Sequence, residues 1–222
     1  MSYSITGIVN LALLKIGVKR ISSHPDATTP QGIDANDCWE YIRDEVLSAR
    51  DWKFAKLRVA LAKNATAPAT MYDYAYTLPT DFLRLCLKKP HDSVVSTEEY
   101  DDEYFVNDVL VVKQVAYAYS IEILSDGTLC LMTDYDNTDY DLYISYIKKV
   151  TDATKYSPMF IKALSYRLAA ELALPRTEGQ TKFQSMMLLY KDALQEADGL
   201  NASMEYVPHE TGTSESWELA GR

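Results

Sequence analysis

Apolar residues recur at helical spacing towards both ends of the chain and at strand spacing in its middle. From Ser4 or Thr6 onward, Ile5, Ile8, Val9, Ala12, Leu13 and Ile16 fall along one stripe that stops at Gly17, which predicts a core-facing helix. The stretch from Lys19 to Gln31, with Ser22, Ser23, Pro25, Thr28, Thr29 and Pro30, is too polar and broken to continue it and reads as a surface connection. A second helix is predicted from about Asp34 to Ala49, where Cys38, Trp39, Ile42, Val46 and Leu47 share a face and Glu40, Arg43, Asp44 and Arg50 point away from it.

Beyond Trp52 the period changes. Tyr72, Tyr74, Tyr76 and Leu78 alternate with Asp73, Ala75 and Thr77, as a strand requires. Leu83, Leu85 and Leu87 form one apolar row, Val109 to Val112 another strand, Tyr117, Tyr119, Ile121 and Ile123 a third, and Tyr140, Leu142, Ile144 and Tyr146 the last. Asn107-Asp108 and Asp126-Gly127 are turn signals, the latter a pair favoured in two-residue hairpins.

Helical spacing resumes after Tyr156. Ser157-Pro158 offers an N-cap with proline at the first helical position, followed by Phe160, Ala163, Leu164, Leu168 and Leu172, with Pro175 expected to close the helix. A fourth helix is predicted from roughly Glu178 to Asp198, carrying Phe183, Met186, Met187, Tyr190, Ala193, Leu194 and Ala197, with Gly199 as its stop. Leu200 to Arg222 is polar and irregular. The expected fold class is α+β: a four-helix module formed by both ends of the chain (1–55 and 150–199), an inserted antiparallel β module (56–149), and an extended C-terminal tail (200–222).

Composition narrows the functions this fold can serve. The 32 acidic residues against 22 basic ones give a formal charge of -10, which argues against a protein that grips phosphate backbones. Cys38, Cys86 and Cys130 are odd in number and lie in apolar patterns, which fits buried free thiols better than disulfides or a metal site. Met1 to Ile5 lacks a basic region followed by an apolar stretch, and nothing approaches the ~18 apolar residues of a membrane span, so a soluble, unprocessed chain is expected. Tyrosine is over-used, 17 residues against 5 Phe, and it concentrates between Tyr72 and Tyr146, which suggests a β module with contact surfaces.

Several segments occur in a distinctive order: Asn10-Leu-Ala-Leu-Leu-Lys-Ile-Gly17, Ile21-Ser-Ser23, Arg43-Asp-Glu-Val-Leu47 and Trp52-Lys-Phe-Ala55-Lys-Leu-Arg58. Tyr76-Thr-Leu-Pro-Thr-Asp-Phe82 follows, then Leu164 to Leu174 and the helix ending near Ala197. In order and spacing this set, covering most of residues 5 to 198, resembles the tail tubular protein A family, the head-to-tail adaptors of T7-like podoviruses. One departure is Asp51, where the family often has proline. The resemblance implies a virion structural protein: a dodecameric ring beneath the portal protein, with a tail nozzle protein of the tail tubular protein B type on the opposite side. DNA would pass through the channel without specific binding. It implies no enzyme chemistry and no cofactor. In that family the C-terminal segment reaches onto the portal, so Tyr206, Val207, Trp217 and Leu219 are assigned as portal-docking residues.

Other chemistry has weaker support in the sequence. Asp134-Tyr-Asp-Asn-Thr-Asp139-Tyr-Asp141 superficially resembles a calcium loop, but its sixth position is Asp139 and not glycine, and its twelfth is Ser145 and not glutamate. Glu98, Glu99, Asp101, Asp102 and Glu103, interleaved with Tyr100 and Tyr104, contain carboxylate pairs of the kind glycosidases use, as any acidic loop does. A carbohydrate-binding or glycan-hydrolysing tail protein is therefore the alternative reading, with a head-completion connector of another phage class as a third. His24, His91 and His209 fall in loops or the tail without metal-ligand spacing and read as surface residues, and no Walker or dinucleotide-binding glycine pattern occurs. Trp39, Trp52, Phe160, Phe183 and Tyr190 are expected to be anchors of the helical core.

Overall fold

The computed structural model describes residues 3–65, 68, 71–86, 94–97, 105–106, 109–110, 114–116, 118–137, 142–177 and 180–203. These form a mixed α+β protein of four helices and antiparallel sheets. Helix α1 (Ile5–Ile16) starts on Ser4, whose hydroxyl accepts from the Gly7 amide, and stops at Gly17, held in the left-handed region at φ 76°. Helix α2 (Pro30–Ala49) begins a turn earlier than Asp34. Thr29 is its N-cap and Pro30 its first residue, the same device as Ser157-Pro158.

The linker before α2 is not merely a surface connection. Ile21 and Asp26 are buried, and the Asp26 carboxylate accepts from the amide and hydroxyl of both Thr28 and Thr29. Asn36 on α2 clamps the Asp26 backbone from both sides, donating to its carbonyl at 3.0 Å and accepting from its amide at 3.1 Å. His24 is half-buried, with its ring 5.5 Å from Trp39, and so is not a plain surface residue.

The strands are β1 (Lys56–Leu61), β2 (Tyr74–Thr77), β3 (Phe82–Leu85), β4 (Val94–Thr97), β5 (Phe105–Val106), β6 (Val109–Leu110), β7 (Gln114–Ala116), β8 (Tyr119–Ile123), β9 (Leu129–Thr133) and β10 (Leu142–Lys148). β10 is the axis of a five-stranded sheet: β1 lines one edge, β3 and β4 share the other, and β7 extends from β4. A second sheet runs β2-β9-β8, and β5 pairs with β6. The chain after β1 reaches the second sheet, where Asn64 donates to the Ala75 carbonyl at 2.7 Å.

β9 was not among the sequence-predicted strands, because it is buried on both faces and lacks alternation. The β8–β9 connection is a three-residue loop, with Gly127 at φ 84° and its amide donating to the Leu124 carbonyl; it is not a two-residue hairpin. Tyr72 lies ahead of β2. Leu83 and Leu85 do not form one row: Leu83 packs on the helical core and Leu85 on the sheet core, beside a register shift between Ile147 and Lys148. Leu87, Asn107, Asp108, Val111, Val112, Tyr117 and Tyr140 lie outside the described residues.

Helix α3 (Pro158–Thr177) runs through Pro175, contrary to expectation. Pro175 cannot donate to the carbonyl four residues before it, but the loss is confined to the last turn, which other contacts tie down. Thr177 donates to the Ala173 carbonyl at 2.7 Å, while Arg176 ion-pairs with Asp34 and donates to the Pro30 carbonyl. Helix α4 (Gln180–Ser203) likewise passes Gly199, and residues 200–203 are helical, not irregular. A helical glycine costs about 1 kcal/mol relative to alanine, too little to stop a helix anchored by buried Tyr190, Ala193, Leu194 and Ala197.

Two main clusters of buried side chains result. One gathers all four helices with Trp52, Cys86, Ile147, Val150 and Tyr156. The other holds Leu61, Tyr76, Leu85, Leu131, Leu142, Ile144 and Tyr146 between the sheets. β10 feeds both through its alternation, Ile147 facing the helices and Leu142, Ile144 and Tyr146 the second cluster.

Candidate functional site

Of the expected core anchors, Trp39, Trp52, Phe160 and Tyr190 are buried and Phe183 is half-buried against the same cluster. Trp52 donates its indole N–H to the Val46 carbonyl at 2.8 Å and meets Phe160 edge-on at 5.1 Å, with Phe54 and Tyr156 completing the group. This aromatic group fills the seam between helices and sheet. The portal-docking residues Tyr206, Val207, Trp217 and Leu219 lie outside the described residues, as do Glu98, Glu99, Asp101, Asp102, Glu103, Tyr100, Tyr104, His91 and His209.

The described part of the calcium-like segment is spent on the protein itself. Asp134 accepts from the Asp73 amide, Asp136 ion-pairs with Lys63 at 2.8 Å, and the Asn137 side chain reaches the Leu61 carbonyl. Lys63 also lies 3.9 Å above the Tyr74 ring, a cation–π contact that fixes the same corner. Positions 138–141 lie outside the described residues. Among the described residues no group of three or more His, Cys, Asp or Glu side chains is disposed to hold a metal ion. The three cysteines are buried and free, and burial pushes the Cys38 thiol up to about 12, which keeps it protonated and unreactive at neutral pH.

The sequence reading missed the polar side chains that join helices to sheet. Arg43, expected to face away from the core, is 3% exposed, because α3, β3 and β10 all pack on α2 and widen its buried face. Its Nε donates to Asp44 at 2.7 Å, whereas Nη2 is buried without a partner among the described residues. Arg84 on β3 caps the end of α2, donating to the Ser48 carbonyl at 2.6 Å and pairing with Asp51 at 2.8 Å. Arg50 pairs with Asp198 and Lys149 with Asp44 across the same joint. Apart from Arg43 and its neighbour Asp44, these partners are invisible to periodicity, because each pair is distant in sequence.

The remaining candidates for function are exposed faces. Leu14 on α1, Ile33 and Tyr41 on α2, Leu174 on α3, and Leu188 and Leu189 on α4 are large apolar side chains left at the surface of the helices. Ile121 and Ile123 are exposed on β8, which pairs only with β9 among the described residues. No helix among the described residues is long and apolar enough to cross a membrane.

The chain matches no protein-family model and no curated protein.

Proposed function

We propose that this protein is a structural head-to-tail adaptor of a short-tailed phage and has no enzymatic activity. In this reading twelve copies form a ring between portal protein and tail nozzle, located in the virion tail, with DNA passing through. The architecture it assigns is a ring-forming helical module from residues 1–55 and 150–199, with the β module of 56–149 projecting towards the nozzle. Residues 200–222 would dock on the portal.

The observation that carries the reading is how the resembling segments meet in the fold. The side chain of Asn10, from the first segment, exchanges two hydrogen bonds with the backbone of Ile21, which opens the second. Trp52, from the fourth, donates to Val46 of the third. Asp81, from the Leu-Pro-Thr-Asp turn, accepts from the Tyr146 hydroxyl at 2.9 Å, and its carbonyl receives the Lys149 amide at 2.7 Å. The first and second segments, and the third and fourth, therefore hold one another, and the Leu-Pro-Thr-Asp turn is held by β10 and the residue after it. The exposed apolar side chains on the helices suit subunit contacts.

The test is native mass measurement and electron microscopy of the full chain mixed with portal protein. A ring bound to portal is the expected result. A monomer that ignores portal but binds or cleaves glycan would replace this reading with the carbohydrate one.

A further inference from the structure

Resting on the ring reading, we propose that neighbouring copies meet head to flank: the basic end of one helical body docks on the acidic outer stripe of α2 in the next copy. The occupant of the basic end is thus a second copy of this chain.

Three side chains lash four helix ends together. Lys182, in the first turn of α4, donates to the carbonyl of Ile16, the last residue of α1. Gln31, near the start of α2, donates to the Lys19 carbonyl, and Arg176, near the end of α3, donates to the Pro30 carbonyl. The sheet attaches at the other pole, where Arg84 caps α2 and Arg50 pairs with Asp198 late in α4. Helices of 20 residues separate the two poles, so the lashed end stands about 30 Å from the joint with the sheet.

That end is cationic in a chain whose net charge is -10. Among the described residues it carries Lys19, Arg20, Arg176 and Lys182, whereas the Lys15 ammonium lies over the Tyr166 ring on the side of α3; of the described acidic residues there, Asp34 is paired with Arg176 and Asp26 is buried. Lys19 and Arg20 are exposed and make no ion pair among the described residues. Leu14 (55% exposed) and Leu174 (49% exposed) add apolar surface beside these charges.

The complementary surface lies on the outer face of α2. Asp37 and Glu40 are exposed there, Glu40 at 76%, flanked by exposed Ile33 and Tyr41. Asp37 has no ion-pair partner among the described residues, and Glu40 reaches Arg43 only at 3.9 Å. Each surface thus sets charges around apolar side chains, the composition of a protein interface with a charged rim. A phosphate backbone would leave the leucines unused. Because the two surfaces differ, their contact is heterologous, the type that closes into rings.

The experiment uses the full chain under the conditions, with portal, in which the wild type assembles. Two charge-reversed variants are made, K19E/R20E and D37K/E40K; exposed substitutions of this kind change stability little, and thermal melts check that both remain folded. Each variant alone places like charges against each other and should need at least about tenfold higher concentration to assemble. Mixed in equal amounts they should recover, because alternating copies restore opposite charges at every contact. Assembly of either variant at the wild-type concentration, or failure of the mixture to recover, would overturn this contact while leaving the ring reading intact. Variants that assemble normally but lose DNA retention would reassign the basic end to nucleic acid. A wild type that never assembles, with or without portal, would remove both proposals.

Discussion

Replacing Gly32 with alanine sets two known effects against each other. Gly32 sits in the first turn of α2, where alanine is favoured over glycine by about 1 kcal/mol on helix propensity alone. However, a Cβ built on Gly32 would lie 2.6 Å from Cβ, Cγ and Oδ2 of Asp26. Asp26 cannot easily retreat, since its carboxylate holds the amides and hydroxyls of Thr28 and Thr29 and its backbone is clamped by Asn36. Overpacking of this kind costs roughly 1–3 kcal/mol, and so rigid a neighbour puts the cost near the upper end. The net expectation is a loss of about 2 kcal/mol, which lowers Tm by about 4–8 °C in a chain of this length. Thermal denaturation followed by circular dichroism measures it. The contact itself is isolated by a double-mutant cycle with Asp26→Gly, which removes the clashing side chain, so Gly32→Ala should cost clearly less in that background. An unchanged or raised Tm for Gly32→Ala, or an equal cost in both backgrounds, would refute the argument.

Further predictions concern the buried charges, the seam and the tail. Asp26 is held below the ordinary carboxylate range by hydrogen bonds from Thr28 and Thr29, so its stabilisation is present above about pH 4 and is lost as pH falls below it; the Tm gap between wild type and Asp26→Asn should therefore narrow between pH 7 and pH 3, and a constant gap would contradict this. Arg43→Met removes a buried guanidinium with an unpartnered Nη2 and leaves Asp44 its Lys149 partner, so urea denaturation should show a change within about 1 kcal/mol; a loss above about 3 kcal/mol would mean that Arg43 is held better than its contacts indicate. Trp52→Ala should cost about 3–5 kcal/mol by opening a cavity against Phe160 and freeing the Val46 carbonyl; a smaller loss in the same assay would place the seam outside the folding core. Deleting residues 200–222 removes the last helical residues and the proposed anchors Tyr206, Val207, Trp217 and Leu219, and should leave a folded subunit that no longer binds portal in a pull-down; undiminished binding would free the tail of that role. About -120 of charge on twelve copies should keep DNA sliding through the ring, so strong DNA affinity that falls steeply with salt would speak against the channel reading.

How much of this was legible beforehand varied from element to element. Ser4 and Gly17 bounded α1 because capping is local chemistry, written within a few residues of the helix ends. The same code stood at Thr29-Pro30, yet the polar run before it masked the start of α2. Pro175 and Gly199 carried stop signals worth only a few kcal/mol, and tertiary anchors at Arg176, Tyr190 and Ala197 outweighed them.

What the sequence determined by itself was the order of element types, the caps of α1 and the N-cap of α3, the core stripes of the helices and the alternation that defines β2, β8 and β10. All of these depend on residues within about one or two turns of each other. What only the tertiary structure decided was strand order, with β10 between β1 and the pair β3 and β4, and the polar joints such as Arg84 to Asp51 and Arg50 to Asp198. It alone decided that Arg43 is buried, and that cations of α3, α4 and the α1–α2 linker gather at one pole of a net acidic chain. The reason is physical: burial, and the pairing of charges far apart in sequence, depend on which surfaces meet. No periodicity along a single chain encodes that meeting.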